Sequence, residues 1–396
     1  MKQAKILFFV VISLFALVLV SCVPGGAQPA RGWSGTVVHD GILYTGSVDG
    51  RVVAINKSSQ NLQWFYTITM PSSGMSCGQS PVSATIYGTP IVDGDIVYVG
   101  SYSGKVLALN TVARSQDLPF PQTRYGEWEW DCPGTNAGSN AIVADLVMSE
   151  DALYLSSSNG RVYSLDKEFG DLNWESDVLH EKLWTSPVLQ GDTLYVSTYD
   201  GRIVTLSVET GALLPWFFES ESGFASRPVV YEDSIYVGSF DNKLYATKIG
   251  ASELSWSFPG GNWFWGAPLV SEGVVYAGCL DGKVYAIGAE TGEELWRFES
   301  RDPGGKPVPI VSSPVLMDNL LIVADELGSV YVFDLNAELE GKAVVPLKTM
   351  SVGAVVRSSL FAQEGLVYIR AQDNWVYVLD IDRGGLSWKS TLTIEE

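Results

Sequence analysis

VVYAGCLDGKVYAIGAETGEELW, residues 274–296, is the unit from which the rest of the chain is built. It reads as two strands of alternating apolar residues joined by a two-residue turn at Asp281-Gly282. A second turn at Thr291-Gly292 leads into a strand carrying Trp296. Working outward from Tyr276, the equivalent aromatic or aliphatic residue recurs as Tyr44, Tyr98, Tyr154, Tyr195, Tyr236, Tyr276, Ile322 and Tyr368. These eight markers are spaced by 40 or 41 residues where regular and by 46 to 56 elsewhere, so insertions occur without loss of phase.

Other columns keep step with the marker. Eight residues ahead of it stand Thr36, Pro90, Leu146, Pro187, Pro228, Pro268, Pro314 and Leu360. Proline is tolerated at the start of a first strand, where its missing N–H need not enter the ladder. Five or six residues after the marker comes a tight-turn pair, as at Asp49-Gly50, Asn159-Gly160, Asp241-Asn242 and Asp373-Asn374. Such residues accept the positive φ of two-residue hairpins. Twenty or twenty-one residues after it stands Trp64, Trp174, Trp216, Trp256, Trp296 or Trp388, expected to pack between neighbouring units. Each unit is therefore a four-stranded antiparallel meander. Four-stranded units at this period imply an all-β, eight-bladed β-propeller, or seven blades if the third or seventh unit is degenerate. In the second unit the fourth strand is read at Trp128 and Trp130, displaced by an insertion QDLPFPQTRY. The seventh unit lacks a Trp, carries the insertion 337–342 before Val344-Val345, and has the least defined outer strand.

The ends and the charge set the compartment. Lys2 and Lys5 precede an apolar run, 6–20, which is short for a membrane span and suited to a signal-peptide core. It ends in Leu19-Val20-Ser21-Cys22, which resembles a bacterial lipobox. The expected organisation is a signal peptide over 1–21, a lipidated Cys22 with a tether over 22–32, and one propeller domain over 33–396. An uncleaved anchor or a plain secretory signal is the alternative, and either way the body is exported. Loss of Lys2 and Lys5 would move the net charge from −20 to −22. That field opposes nucleic acid and anionic membrane surfaces and favours solubility or cationic partners. Cys77 and Cys132 lie in irregular connections flanking the second unit and can pair in an oxidising compartment. Cys279 is read as a small buried hydrophobe inside a strand where other units have Ser.

The units GTPIVDGDIVYVGSYSGKVLALN, TSPVLQGDTLYVSTYDGRIVTLSVETG and GAPLVSEGVVYAGCLDGKVYAIGAETGEELW resemble the repeats of pyrroloquinoline-quinone (PQQ) type β-propellers, over about nine-tenths of the chain. The resemblance is specific for fold and not for activity. The family includes quinoprotein dehydrogenases, sensor domains and a non-catalytic envelope lipoprotein, the propeller subunit of the outer-membrane β-barrel assembly machinery. That lipoprotein is similar in length, blade number and lipidated cysteine. Dehydrogenases of the family hold PQQ and calcium in the central funnel and often carry an adjacent cysteine pair. This chain has no such pair, and no Asp/Glu/Asn cluster for calcium stands out, so neither cofactor is expected. His39 and His180, the only histidines, are read in connections away from any nucleophile motif. Acid pairs such as Glu293-Glu294 fall in a polar turn and read as a solvated face rather than glycosidase acids.

One further column carries a candidate site. Three residues ahead of the proline column stand Trp33, Tyr87, Val143, Trp184, Ala225, Trp265, Val311 and Arg357. In a propeller these begin the innermost strands, which places four aromatics around one mouth of the channel. Arg227 and Arg357 can add positive charge there, suiting a peptide strand, a sugar or an anionic ligand. The alternative is that the aromatics only plug the channel. A second candidate surface is the insertion around 120–131. The expectation is a non-catalytic, lipid-anchored, extracytoplasmic scaffold of a bacterial envelope, monomeric, with envelope proteins as partners. The alternatives are a cell-surface module for a small molecule or glycan, and a PQQ-dependent dehydrogenase.

Overall fold

The tight-turn pairs close hairpins as their residue types require. In a computed structural model describing residues 33–70, 82–112, 128–133, 140–180, 182–224, 226–337 and 344–393, the second turn residue has positive φ in all eight units, from 67° at Asn374 to 91° at Gly201. The turn aspartate has a further role. Its carboxylate accepts the hydroxyl of a tyrosine four residues on, at Tyr245–Asp241 (2.5 Å), Tyr377–Asp373 (2.6 Å) and Tyr285–Asp281 (2.7 Å). The turn is thereby tied to the strand it starts.

Eight four-stranded antiparallel sheets result, spanning 36–67, 91–131, 147–175, 188–219, 229–259, 269–299, 315–351 and 361–391, here blades 1 to 8. In each, strand order follows chain order, innermost strand first. The innermost strands start one residue after the proline column, as at Val188, Val229, Leu269 and Val315. The architecture is an eight-bladed β-propeller, with no helix among the described residues. A short extra ribbon pairs Thr69–Met70 with Val82–Ser83.

The outer-strand tryptophans lie between blades. The indole N–H of Trp174, Trp216 and Trp256 donates at 2.8 Å to Val208 O, Ala251 O and Ala289 O of the following blade. Trp64 packs with Val97 and Leu109 of blade 2, Trp296 lies 5.6 Å from Phe333 of blade 7, and Trp388 packs with Leu43 and Ile55 of blade 1. In blade 2 the displaced outer strand is Glu129–Asp131, and Trp128 takes the bridging role, donating to Lys167 O of blade 3 at 3.0 Å.

Blade 7 shows how the role is met without an indole. Its outer strand is Lys348–Ser351, beyond Val344-Val345. Lys348 pairs with Val332 at the register where Trp296 pairs with Ala286. Its ammonium donates to Ile381 O (2.5 Å) and Asp382 O (2.8 Å) of blade 8. Lys348→Ala is expected to cost about 1–2 kcal/mol, read as a lower urea midpoint at unchanged m-value, because two charge-assisted bonds between blades are lost.

Small and large residues alternate across each blade junction. Two residues after the marker stand Gly46, Gly100, Gly238 and Gly278, and an added Cβ there would lie 2.2–2.7 Å from Ile86, Ile142, Phe264 or Ile310 of the next blade. The ring closes where blade 8 packs on blade 1, and there the small residue is replaced by Arg370, 1% exposed. The apolar column reads Ile86, Ile142, Leu183, Phe224, Phe264, Ile310 and Val356, whereas its blade 1 position is Gly32 in the sequence, outside the described residues. No strand is exchanged at closure: blade 1 takes residues 36–67 and blade 8 takes 361–391. Lys57 Nζ pairs with Glu364 Oε2 at 2.8 Å across the junction.

Three expectations are corrected. Cys279 follows the strand Val274–Gly278 instead of lying within it, because the position closes the hairpin through Cys279 N to Lys283 O. It is fully buried, and burial pushes its thiol up to about 12. His39 ends the innermost strand of blade 1 rather than lying in a connection, its register partner being Ile42. The mouth column precedes the innermost strands rather than beginning them, since those strands start four residues later, after the proline. Cys132 is a buried free thiol donating to Ser157 Oγ at 3.3 Å, and Cys77 lies outside the described residues. Residues 1–32, with Cys22, and the insertion 113–127 also lie outside them.

Candidate functional site at the channel mouth

Because each approach segment enters its blade at the same register, the column three residues before the proline is brought to one place. Trp33, Tyr87, Val143, Trp184, Trp265, Val311 and Arg357 all line one central cavity of about 390 Å³, with Arg227 beside them. Ala225 lies outside the described residues. A second cavity of about 320 Å³ shares Trp33, Tyr87, Trp184 and Trp265 and extends over the hairpin tips. The two adjoin and form one mouth.

The mouth is richer in aromatic side chains than its column predicts. Tyr102, Tyr199 and Phe240 join it, each four residues after its marker, in the hairpin between second and third strands. Trp33 meets Tyr87 edge-on with centroids 4.7 Å apart, and Tyr87 meets Tyr102 at 5.6 Å. Across the mouth Trp184, Tyr199 and Phe240 form a second run at 5.7 and 5.2 Å, continued to Trp263 at 5.0 Å. Trp184 is 49% and Tyr199 51% exposed. Trp184 and Tyr199 thus hold apolar area open at the rim, whereas Tyr87 is only 6% exposed. The signal was available in sequence as the column Val48, Tyr102, Ser158, Tyr199, Phe240, Leu280, Glu326 and Gln372, whose three aromatics fall in units 2, 4 and 5.

The charges at the mouth differ in availability. Arg357, expected as a free cation, is neutralised by Glu326 from that hairpin column, its Nε donating to Glu326 Oε1 at 2.7 Å and its Nη2 to the same oxygen. Arg227 is exposed, and among the described residues no carboxylate pairs with it. Lys182 lies with its ammonium 5.7 Å from the Trp184 ring centroid. Among the described residues the one acid of the wall is Asp145, whose Oδ1 accepts from Thr89 N at 2.7 Å. That bond belongs to a belt linking neighbouring blades: Asp145 N donates to Ser186 Oγ and Ala267 N to Ser313 Oγ, both at 2.9 Å. Hydroxyls of Thr185, Ser186 and Ser313 complete the wall.

These residues do not fit a calcium–quinone centre. Such a site needs several hard oxygen donors on one cation. Among the described residues no group of three His, Cys, Asp or Glu could hold a metal, and Asp145 is committed to the belt.

A family model described as "Outer membrane protein assembly factor BamB" matches residues 23–127, 123–220 and 214–394. Curated relatives of the same description include the one from Salmonella typhimurium, 31% identical over 160 residues, which are 40% of this chain and 35% of that protein. The one from Legionella pneumophila is 25% identical over 158 residues, 40% of this chain and 36% of that protein. The alignments thus span about a third of the relatives' length. Among solved structures, the BamB of Moraxella catarrhalis superposes with a TM-score of 0.65 at 18% identity, covering 87% of this chain and 95% of that one. A computationally designed protein, Ika8, superposes at 0.66 with 17% identity, covering 89% and 97%. At these identities the two structures bear on the fold alone.

Proposed function

The chain belongs to the PQQ-repeat propeller family whose model is described as outer membrane protein assembly factor BamB, and from that membership we propose that it is a non-catalytic scaffold in the assembly of outer-membrane proteins. The observation that carries this reading is the family match running through all eight blades. The geometry supports it: every sheet ends in an outer strand paired on one side only. Such an edge offers main-chain N–H and C=O groups to an extended segment of a partner. Exposed Leu62, Leu172, Leu213, Phe217 and Leu254 on those strands add apolar contact. The lipid anchor at Cys22 would hold the propeller at the membrane, with a partner of the assembly machinery beside it.

The test is crosslinking followed by affinity capture from native membranes, with mass spectrometry of what is recovered. The expected result is co-purification of a β-barrel assembly subunit, with membrane retention lost on Cys22→Ala. Recovery of the anchored chain with no envelope protein would overturn the scaffold role.

A further inference from the structure

We propose that the channel mouth is a carbohydrate site, specific for a short acidic glycan such as a uronic-acid oligosaccharide. This goes beyond the scaffold role and uses a different face of the molecule. The first ground is the exposed rings. Trp184 and Tyr199 line the mouth, 49% and 51% exposed, with Tyr102 two blades away on the same cavity. The C–H face of a pyranose is weakly positive and stacks on the negative face of an aromatic ring, while the ring's bulk supplies apolar contact. The two adjoining cavities, about 390 and 320 Å³, match the size of small-molecule pockets.

The second ground is what the wall presents. Backbone N–H groups of Thr89, Asp145 and Ala267 are already taken by side chains of the next blade. Those three N–H groups are therefore not available to a peptide strand. The Ser186 and Ser313 hydroxyls that accept two of these bonds keep their own O–H to donate, and hydroxyl-to-hydroxyl bonding is how a sugar is read.

The third ground is charge. The chain carries 45 acids against 25 bases, yet among the described residues this mouth holds Arg227 and Lys182 without carboxylate partners, against the belt-bonded Asp145 and the neutralised Arg357–Glu326 pair. A local cation inside a net field of −20 admits a short anionic ligand and opposes a long polyanion. One carboxylate on Arg227, with sugar faces on the rings, satisfies both conditions.

The test uses the purified full-length mature chain, titrated with trigalacturonate, neutral maltotriose and triglutamate by calorimetry and tryptophan fluorescence. Trigalacturonate is expected to bind with a Kd on the order of 10⁻⁴ M, and triglutamate more weakly. Arg227→Ala should weaken trigalacturonate about tenfold and leave maltotriose unchanged, the loss of one charge-assisted contact. Trp184→Ala should weaken both sugars about tenfold or more. Both side chains are exposed, and Lys182→Ala, expected to weaken only the acidic sugar, provides an independent variant should either fail to fold. No binding up to about 10 mM, triglutamate binding as tightly as trigalacturonate, or unchanged affinity in Arg227→Ala and Trp184→Ala would each overturn the proposal. Membrane capture of an assembly partner by these same variants reads the scaffold role separately.

Discussion

Gly292→Ala is expected to destabilise the propeller by roughly 3–5 kcal/mol, a large effect for replacing one hydrogen with a methyl. Gly292 has φ +70°, and its Cβ would lie 2.7 Å from Cγ of Trp256 on the preceding blade. Two costs combine: left-handed backbone for an L-residue, and a methyl driven into a fixed indole. Gly384→Ala separates them. Gly384 has the same φ of +70° with nothing within 4 Å, since the preceding blade 7 carries Lys348 in place of a Trp. Its substitution should cost only about 1 kcal/mol. In a Trp256→Ala background, Gly292→Ala should lose its steric part, a coupling of about 2 kcal/mol by double-mutant cycle. Equal costs at Gly292 and Gly384, measured by urea unfolding, would mean that the indole is not the cause.

Arg370→Ala should cost about 3–4 kcal/mol, although seven blades have Gly, Ala or Ser at this position. Elsewhere the position must be small to admit an apolar side chain from the next blade. At the closing junction Arg370 itself is the filling, and truncation leaves a cavity between blades 8 and 1. Burial pulls its guanidinium down to about 10, with Asp373 and Asp49 pulling the other way. A cation with a lowered folded pKa opposes folding at every pH below that value, so packing must outweigh the desolvation. Arg227→Ala, also in the channel region but exposed, should stay within about 0.5 kcal/mol. Arg370→Ala unfolding at the wild-type midpoint would show that closure does not depend on this residue.

The mouth was half legible. Its inner column could be read from register, because every blade enters the ring at the same phase: Trp33, Tyr87, Trp184 and Trp265 were placed together by counting from Tyr44 and its equivalents. The outer aromatics, Tyr102, Tyr199 and Phe240, sit in hairpins already explained by their turns, and nothing local marks them as facing the same cavity. Availability of charge was not legible. Arg357 and Arg227 occupy columns two residues apart and look alike in sequence, yet Glu326, 31 residues from Arg357, neutralises only one of them.

The sequence by itself determined the fold, the blade number and the position of the between-blade tryptophans, because these follow from alternation, turn chemistry and a repeat period, all local along the chain. Tertiary structure alone decided the junctions. That Lys348 replaces an indole, that Arg370 fills the closing seam and that Trp256 rests on Gly292 depend on side chains from different blades competing for one space. Packing density makes such choices mutual, and a single unit read in isolation cannot specify its neighbour.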